Sequence, residues 1–201
     1  MSKINAVRLI NVNYNNNAYR ISDETLYFNG ESTLISLQNG GGKSVLVQML
    51  TAPFVHPRYR NTKDRLFESY FTTNKPSFIL VEWALDQGAG YVLTGLMVRK
   101  SQDMEEDRKE NLDIIGIVSE YQSPCIQDIH HLPVVEKGKK EMILKNFNSC
   151  RQLFETYKKD RDMKFFYYDL TNYAQSRQYF DKLMEYQINY KEWETIIKKI
   201  N

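Results

Sequence analysis

The chain has 201 residues, 42% hydrophobic and 26% charged, which is ordinary globular usage and excludes a disordered or low-complexity polypeptide. Two cysteines, Cys125 and Cys150, exclude a disulfide scaffold, and no apolar run approaches a membrane span. Lys and Arg number 27 against 25 Asp and Glu, and a net charge of +2 gives no sign of a chain-wide grip on duplex DNA.

A single domain over residues 1–201 is expected from this length, and its core needs no staples. The opening Met1-Ser2-Lys3-Ile4-Asn5 has no apolar signal core, so a reduced, cytoplasmic protein is expected. Residues 4–12 read as a strand: Ile4, Ala6, Ile10 and Val12 share one period-two face with Arg8, and Val7 and Leu9 lie on the other. Residues 13–17 are a polar turn. Residues 25–28 form a short strand closed by Asn29-Gly30, a hairpin-type dipeptide, and residues 33–37 form another. A helix follows over residues 43–52, with Leu46, Met49 and Leu50 at i, i+3 and i+4 and Pro53 as its stop. Residues 56–64 are a basic loop and residues 66–71 a short helix.

Residues 77–85 and 91–99 are two strong strands around a hairpin loop at 86–90. Residues 101–111 are an acidic, solvated connector with five acidic residues against two basic. A strand over 112–118 and a loop over 123–133 lead to the longest helix pattern, residues 139–158. Its stripe is Ile143, Phe147, Cys150, Phe154 and Tyr157. Residues 163–169 are strand-like. Thr171 or Asn172 can cap a helix running to residue 186, and Asn189 can cap a last helix over 190–200, with Trp193, Ile196, Ile197 and Ile200 inward.

The chemically informative stretch is residues 34–45, where a predicted strand runs into Asn39-Gly40-Gly41-Gly42-Lys43-Ser44-Val45 and then into a helix. That order is the context of a phosphate-binding P-loop, or Walker A motif. Glycines let backbone amides converge on an oxygen-rich anion without Cβ clashes, and a helix N-terminus adds partial positive charge. Lys43 would reach the β- and γ-phosphates of ATP as a point charge, and Ser44 would place its hydroxyl on Mg²⁺. The pattern G-x-x-x-x-G-K-[ST] departs at its first position, which is Leu37 here. Residues 1–60 carry six basic and three acidic groups, a local charge of +3 around this motif.

Residues 7–14 (VRLINVNY), 24–28 (ETLYF) and 34–44 together resemble the N-terminal half of the head of SMC-like ABC ATPases, and most of all the MukB-type and Wadjet JetC-type condensin family. The resemblance covers residues 1–100 well and the remainder more loosely. It implies an α/β fold: a P-loop NTPase sheet of the ABC/SMC head kind, with a flanking antiparallel β subdomain (residues 78–99) and helices. It implies an ATP-binding lobe with ATP and Mg²⁺ as cofactors. The partners implied are the C-terminal half of the head, a second head, DNA through the full complex, and accessory subunits. The role implied is DNA loading, chromosome organisation or plasmid defence. The signature motif and the Asp-Glu pair of such heads are absent from this chain, so it is expected not to hydrolyse ATP alone, and residues 190–201 would be the root of a coiled coil.

Other residues carry two readings each. Arg58, Arg60 and Lys63 can reach phosphates of ATP or DNA, or stand as a solvated loop; Lys3 and Arg8 can lie near a nucleotide. Asp169, ending an aromatic run, has the shape of a magnesium-holding Walker B carboxylate, or is a strand-end cap contact. Glu82 is a magnesium or water carboxylate, or a solvent-side or paired strand residue. Gln122, Gln127 and Gln175 are candidates for a magnesium-sensing glutamine. Cys125, His130 and His131 match no zinc ligand spacing. A stand-alone small P-loop NTPase or kinase, completed by Asp169 or Glu82, and an interaction module with a degenerate loop are the alternative functions.

Overall fold

Runs of β-branched and aromatic residues favour strands, and two such runs joined by a short turn pair antiparallel. The computed structural model describes residues 2–14, 16–38, 40–101, 111–124, 129, 132, 135–138, 142–159 and 164–200. Its strands are β1 (Lys3–Tyr14), β2 (Tyr19–Tyr27), β3 (Ser77–Ala84), β4 (Tyr91–Lys100), β5 (Leu112–Tyr121), β6 (Val135–Lys137), β7 (Met142–Leu144) and β8 (Lys164–Asp169). Six of them form one sheet in the order β2-β1-β3-β4-β5-β8, and every neighbouring pair is antiparallel. β6 and β7 make a separate antiparallel pair.

This overturns the expected P-loop NTPase sheet, which is mostly parallel and has its loop-bearing strand in the interior. Residues 32–38 form no strand, and Leu34 is 95% exposed. The reason lies in β1, whose two edges are already taken by β2 and β3. The sheet interior beside β1 has no vacant position for residues 33–37, and a parallel neighbour would need a crossover connection that the hairpin order does not supply. The antiparallel hairpin expected over residues 78–99 is present as β3 and β4, but as the middle of the main sheet rather than a flanking subdomain.

Other predicted elements shift for local reasons. The β1–β2 hairpin turns at Asn16 and Asn17, both at positive φ (53° and 67°), a conformation asparagine tolerates. Asn29-Gly30 closes no hairpin; the amides of Phe28 and Asn29 donate back to the Asn5 carbonyl and that of Gly30 to Ile4. Period-two alternation in β1 also breaks. A register shift lies between Ile4 and Ala6, and Asn11 sits at φ 58°. Ala6 and Ile10 therefore face one core, while Val7, Leu9 and Val12 face the other with Ile4 packed against them. Ile143 belongs to β7, paired with Glu136, and not to a helical stripe.

Four α-helices stand among the described residues: α1 (Lys43–Thr51), α2 (Phe147–Lys159), α3 (Tyr173–Glu185) and α4 (Tyr190–Ile200). On one face of the sheet, Val45 and Met49 of α1, Tyr179, Phe180 and Leu183 of α3 and Ile197 of α4 join the strand residues in one core. On the other, Phe147, Cys150 and Phe154 of α2 join a second core with Ile129 and Leu132. Asn172 caps α3, its Oδ1 accepting from the Gln175 amide at 3.1 Å. Asn189 precedes α4, but its Oδ1 is buried without a hydrogen-bond partner and caps nothing, and Ile196 is exposed rather than inward. Short 3₁₀ turns at Ala52–Phe54, Pro57–Tyr59 and Phe67–Tyr70 carry the chain from α1 towards β3. No helix among the described residues is long and apolar enough to cross a membrane.

Candidate phosphate-binding loop

The glycine bend is built by backbone conformations that side chains resist. Gly40 has φ 81° and Gly42 φ 85°, both left-handed, and the Gly41 amide donates to the Gln38 carbonyl at 2.9 Å. A Cβ on Gly41 would stand 2.9 Å from that same carbonyl oxygen, whereas one on Gly40 would meet nothing within 4 Å. Gly40, Gly41, Lys43 and Ser44 are exposed, so the bend opens to solvent at these residues. Gly42 instead faces the Tyr14 ring, and with Gly41 it borders a cleft of about 190 Å³ shared with Leu9, Leu26 and Leu37.

Gly42 is the N-cap of α1. Among the described residues no side chain caps the first turn, and no acidic side chain lies in it. Such a terminus presents backbone donors and the positive end of the helix dipole. Lys43 donates through Nζ to the Leu37 carbonyl at 2.8 Å, which folds the lysine back over the bend. Ser44 is exposed one residue further on, and Val45 is buried against the sheet, anchoring the helix start. Asn39 lies outside the described residues.

The remaining sequence candidates do not converge on this bend. Arg58 and Arg60 follow the far end of α1, whose nine residues span about 13 Å. Arg58 is exposed with its guanidinium over the Tyr59 ring, and Lys63 is exposed. Arg60 is no part of a solvated loop. It is 1% exposed, its Nε donates to the Ala52 carbonyl at 3.1 Å, and its own carbonyl accepts from Gln48 Nε2 at 2.6 Å. Arg8 holds Asp23 with Nε and Nη2 and the Ile129 carbonyl with Nη1. Lys3 is exposed at the start of β1.

Asp169 ends β8, four strand spacings from β1, or about 19 Å. Its Oδ1 accepts from the amide and hydroxyl of Thr171, and its amide donates to Gln175 Oε1, so both Asp169 and Gln175 are turn residues. Glu82 is fully buried and accepts from Asn5 Nδ2 at 2.6 Å and from the Tyr121 hydroxyl, the paired-strand alternative of its two readings. Gln122 is exposed beside Gly90. Gln127, Cys125, His130 and His131 lie outside the described residues. No cluster of three or more His, Cys, Asp or Glu among the described residues is arranged to hold a metal ion. A magnesium ion at Ser44 would therefore draw its other ligands from phosphate oxygens and water.

One grouping escapes the sequence altogether. His56 Nδ1 lies 2.5 Å from Glu194 Oε1, and its ring stacks on Phe180 with centroids 4.0 Å apart. The two residues of that contact are 138 positions apart, and neither belongs to a motif. No protein-family model matches the chain, and no curated protein matches it.

Proposed function

We propose that the chain is a nucleotide-binding lobe that holds the phosphate tail of ATP, with Mg²⁺, at the Gly40–Ser44 bend. The observation that carries the reading is the solvent-open bend itself, with two left-handed glycines leading into an uncapped helix start that bears Lys43 and Ser44. Amides of the bend and first turn would bind phosphate oxygens, Lys43 would supply the charge and Ser44 the hydroxyl for the metal. Chemistry at the γ-phosphate needs a group that orients water and further charge stabilisation. Glu82 is committed to Asn5 and Tyr121, and Asp169 to Thr171, so a second segment or subunit would complete the site.

The resemblance of residues 7–14, 24–28 and 34–44 to SMC-like heads supports naming that second part as the C-terminal half of a head and a second head. ATP-dependent DNA loading, chromosome organisation or plasmid defence rests on the resemblance alone. The antiparallel sheet lends it no support. The test is ATP affinity by titration calorimetry, with and without Lys43→Ala. A tenfold or larger loss in the variant is expected, since one charge-assisted contact is worth about 1.5–3 kcal/mol. Equal affinities would remove the site.

A further inference from the structure

Residues 32–38 read Ser-Thr-Leu-Ile-Ser-Leu-Gln, with no charge and no proline, and the uncharged run continues to Gly42. Such a run favours a strand, yet the sheet has no place for it, because both edges of β1 are occupied. Ile35 and Leu37 line the cleft of about 190 Å³ together with Leu26, Val45 and Leu46, and their two-residue spacing is that of one strand face. Leu34 and Ser36 fall on the opposite side and are exposed. At 95%, Leu34 is the most exposed large apolar side chain among the described residues. None of residues 32–38 takes part in a strand ladder among the described residues.

The outer strands of the main sheet are guarded against foreign pairing. β2 carries Arg20, Asp23 and Glu24, and β8 carries Lys164 and Asp169 at its two ends. Charges on an edge strand oppose its addition to another chain. Residues 32–38 lack that protection, and an unpaired, uncharged, β-prone segment is a template for a further strand. Its outward residues offer neither a charge nor a pocket that would select a different sequence. A copy of the same segment satisfies it fully, since self-pairing sets no like charges against each other.

We propose that residues 32–36 of two copies of this chain pair as antiparallel strands about a two-fold axis at Leu34. Leu34 then stands opposite Leu34 of the second copy, Ser32 opposite Ser36 and Thr33 opposite Ile35, so the members of each facing pair share one side of the ribbon. The two exposed leucines cover each other, while Ile35 and Leu37 remain on the cleft of their own chain. The contact needs no nucleotide and is independent of ATP binding at the glycine bend.

The test is sedimentation velocity of the full chain in reducing buffer without nucleotide, over about 1–300 μM, the range in which so small a contact shows. A monomer passing to a dimer as concentration rises is expected. Leu34→Lys sets two ammonium groups opposite each other and is expected to weaken association at least tenfold. Its melting temperature should stay within about 2 °C of the native value, because the side chain is exposed. Leu34→Glu should be weakened likewise, and an equimolar mixture of the two variants should associate at least threefold more tightly than either alone. A chain monomeric throughout would overturn the proposal and leave the segment to a strand of another protein. Association untouched by Leu34→Lys, no recovery in the mixture, or growth past the dimer into open-ended assemblies would each overturn it as well.

Discussion

Lys43 Nζ and the Leu37 carbonyl oxygen are hydrogen-bonded across the glycine bend at 2.8 Å. A phosphate bound there would exchange this neutral acceptor for a charged one, and the net gain is the difference between the two bonds. Lys43 is exposed, and its loss is expected to change unfolding stability by less than about 0.5 kcal/mol while lowering ATP affinity at least tenfold. Urea denaturation of Lys43→Ala beside the calorimetric titration checks the split. A matching loss of stability would mean that the lysine serves the loop and not a ligand.

Gly40 and Gly41 should respond differently to alanine. Gly40→Ala imposes only the strain of a left-handed residue, about 1 kcal/mol or slightly more, because a Cβ there meets open space. Gly41→Ala puts a methyl 2.9 Å from the Gln38 carbonyl oxygen, so the bend itself must move. ATP affinity should fall further in Gly41→Ala than in Gly40→Ala. The reverse order would show that this bend geometry is not what the nucleotide recognises.

Glu82 joins β3 to β1 and β5 through Asn5 and Tyr121. Glu82→Leu removes the acceptor of two buried donors, at about 1–3 kcal/mol each, and should lower the melting temperature clearly. Glu82→Gln should do so less, and should leave ATP affinity in magnesium unchanged. A drop in magnesium-dependent affinity in a folded Glu82→Gln protein would instead return this carboxylate to the nucleotide.

Cys150 is buried on α2, and burial pushes its thiol up from 9.0 to about 11, with Lys145 offsetting only part of the effect. The folded protein thus holds the thiol proton more tightly than the unfolded chain does. The stability this adds is fully present below pH 9 and is lost as pH rises towards 11. The stability difference between the native protein and Cys150→Ala should therefore narrow between pH 8.5 and 10.5, as read by urea denaturation at about half-unit intervals. A constant difference would show that the thiolate is as well tolerated folded as unfolded.

Local chemistry made much of this molecule readable in one dimension. The strands Ser77–Ala84, Tyr91–Lys100 and Lys164–Asp169, and the helices ending near 52, 186 and 200, follow from residue type, periodicity and Pro53 or Asn172, all of which act within a few residues. The glycine bend was legible for the same reason, since left-handed backbone is a property of the residues that adopt it. Tertiary structure alone decided the rest. Whether residues 33–37 became a strand depended on the two edges of β1, and both were taken. Whether Arg60 faced water depended on Gln48, Tyr70 and Ala52, and the pairing of His56 with Glu194 on the docking of α4. Pattern and propensity report what a segment favours by itself. Neighbouring strands and burial are set by the whole chain, and here they placed an apparent interior strand in solvent and an apparent surface arginine in the interior.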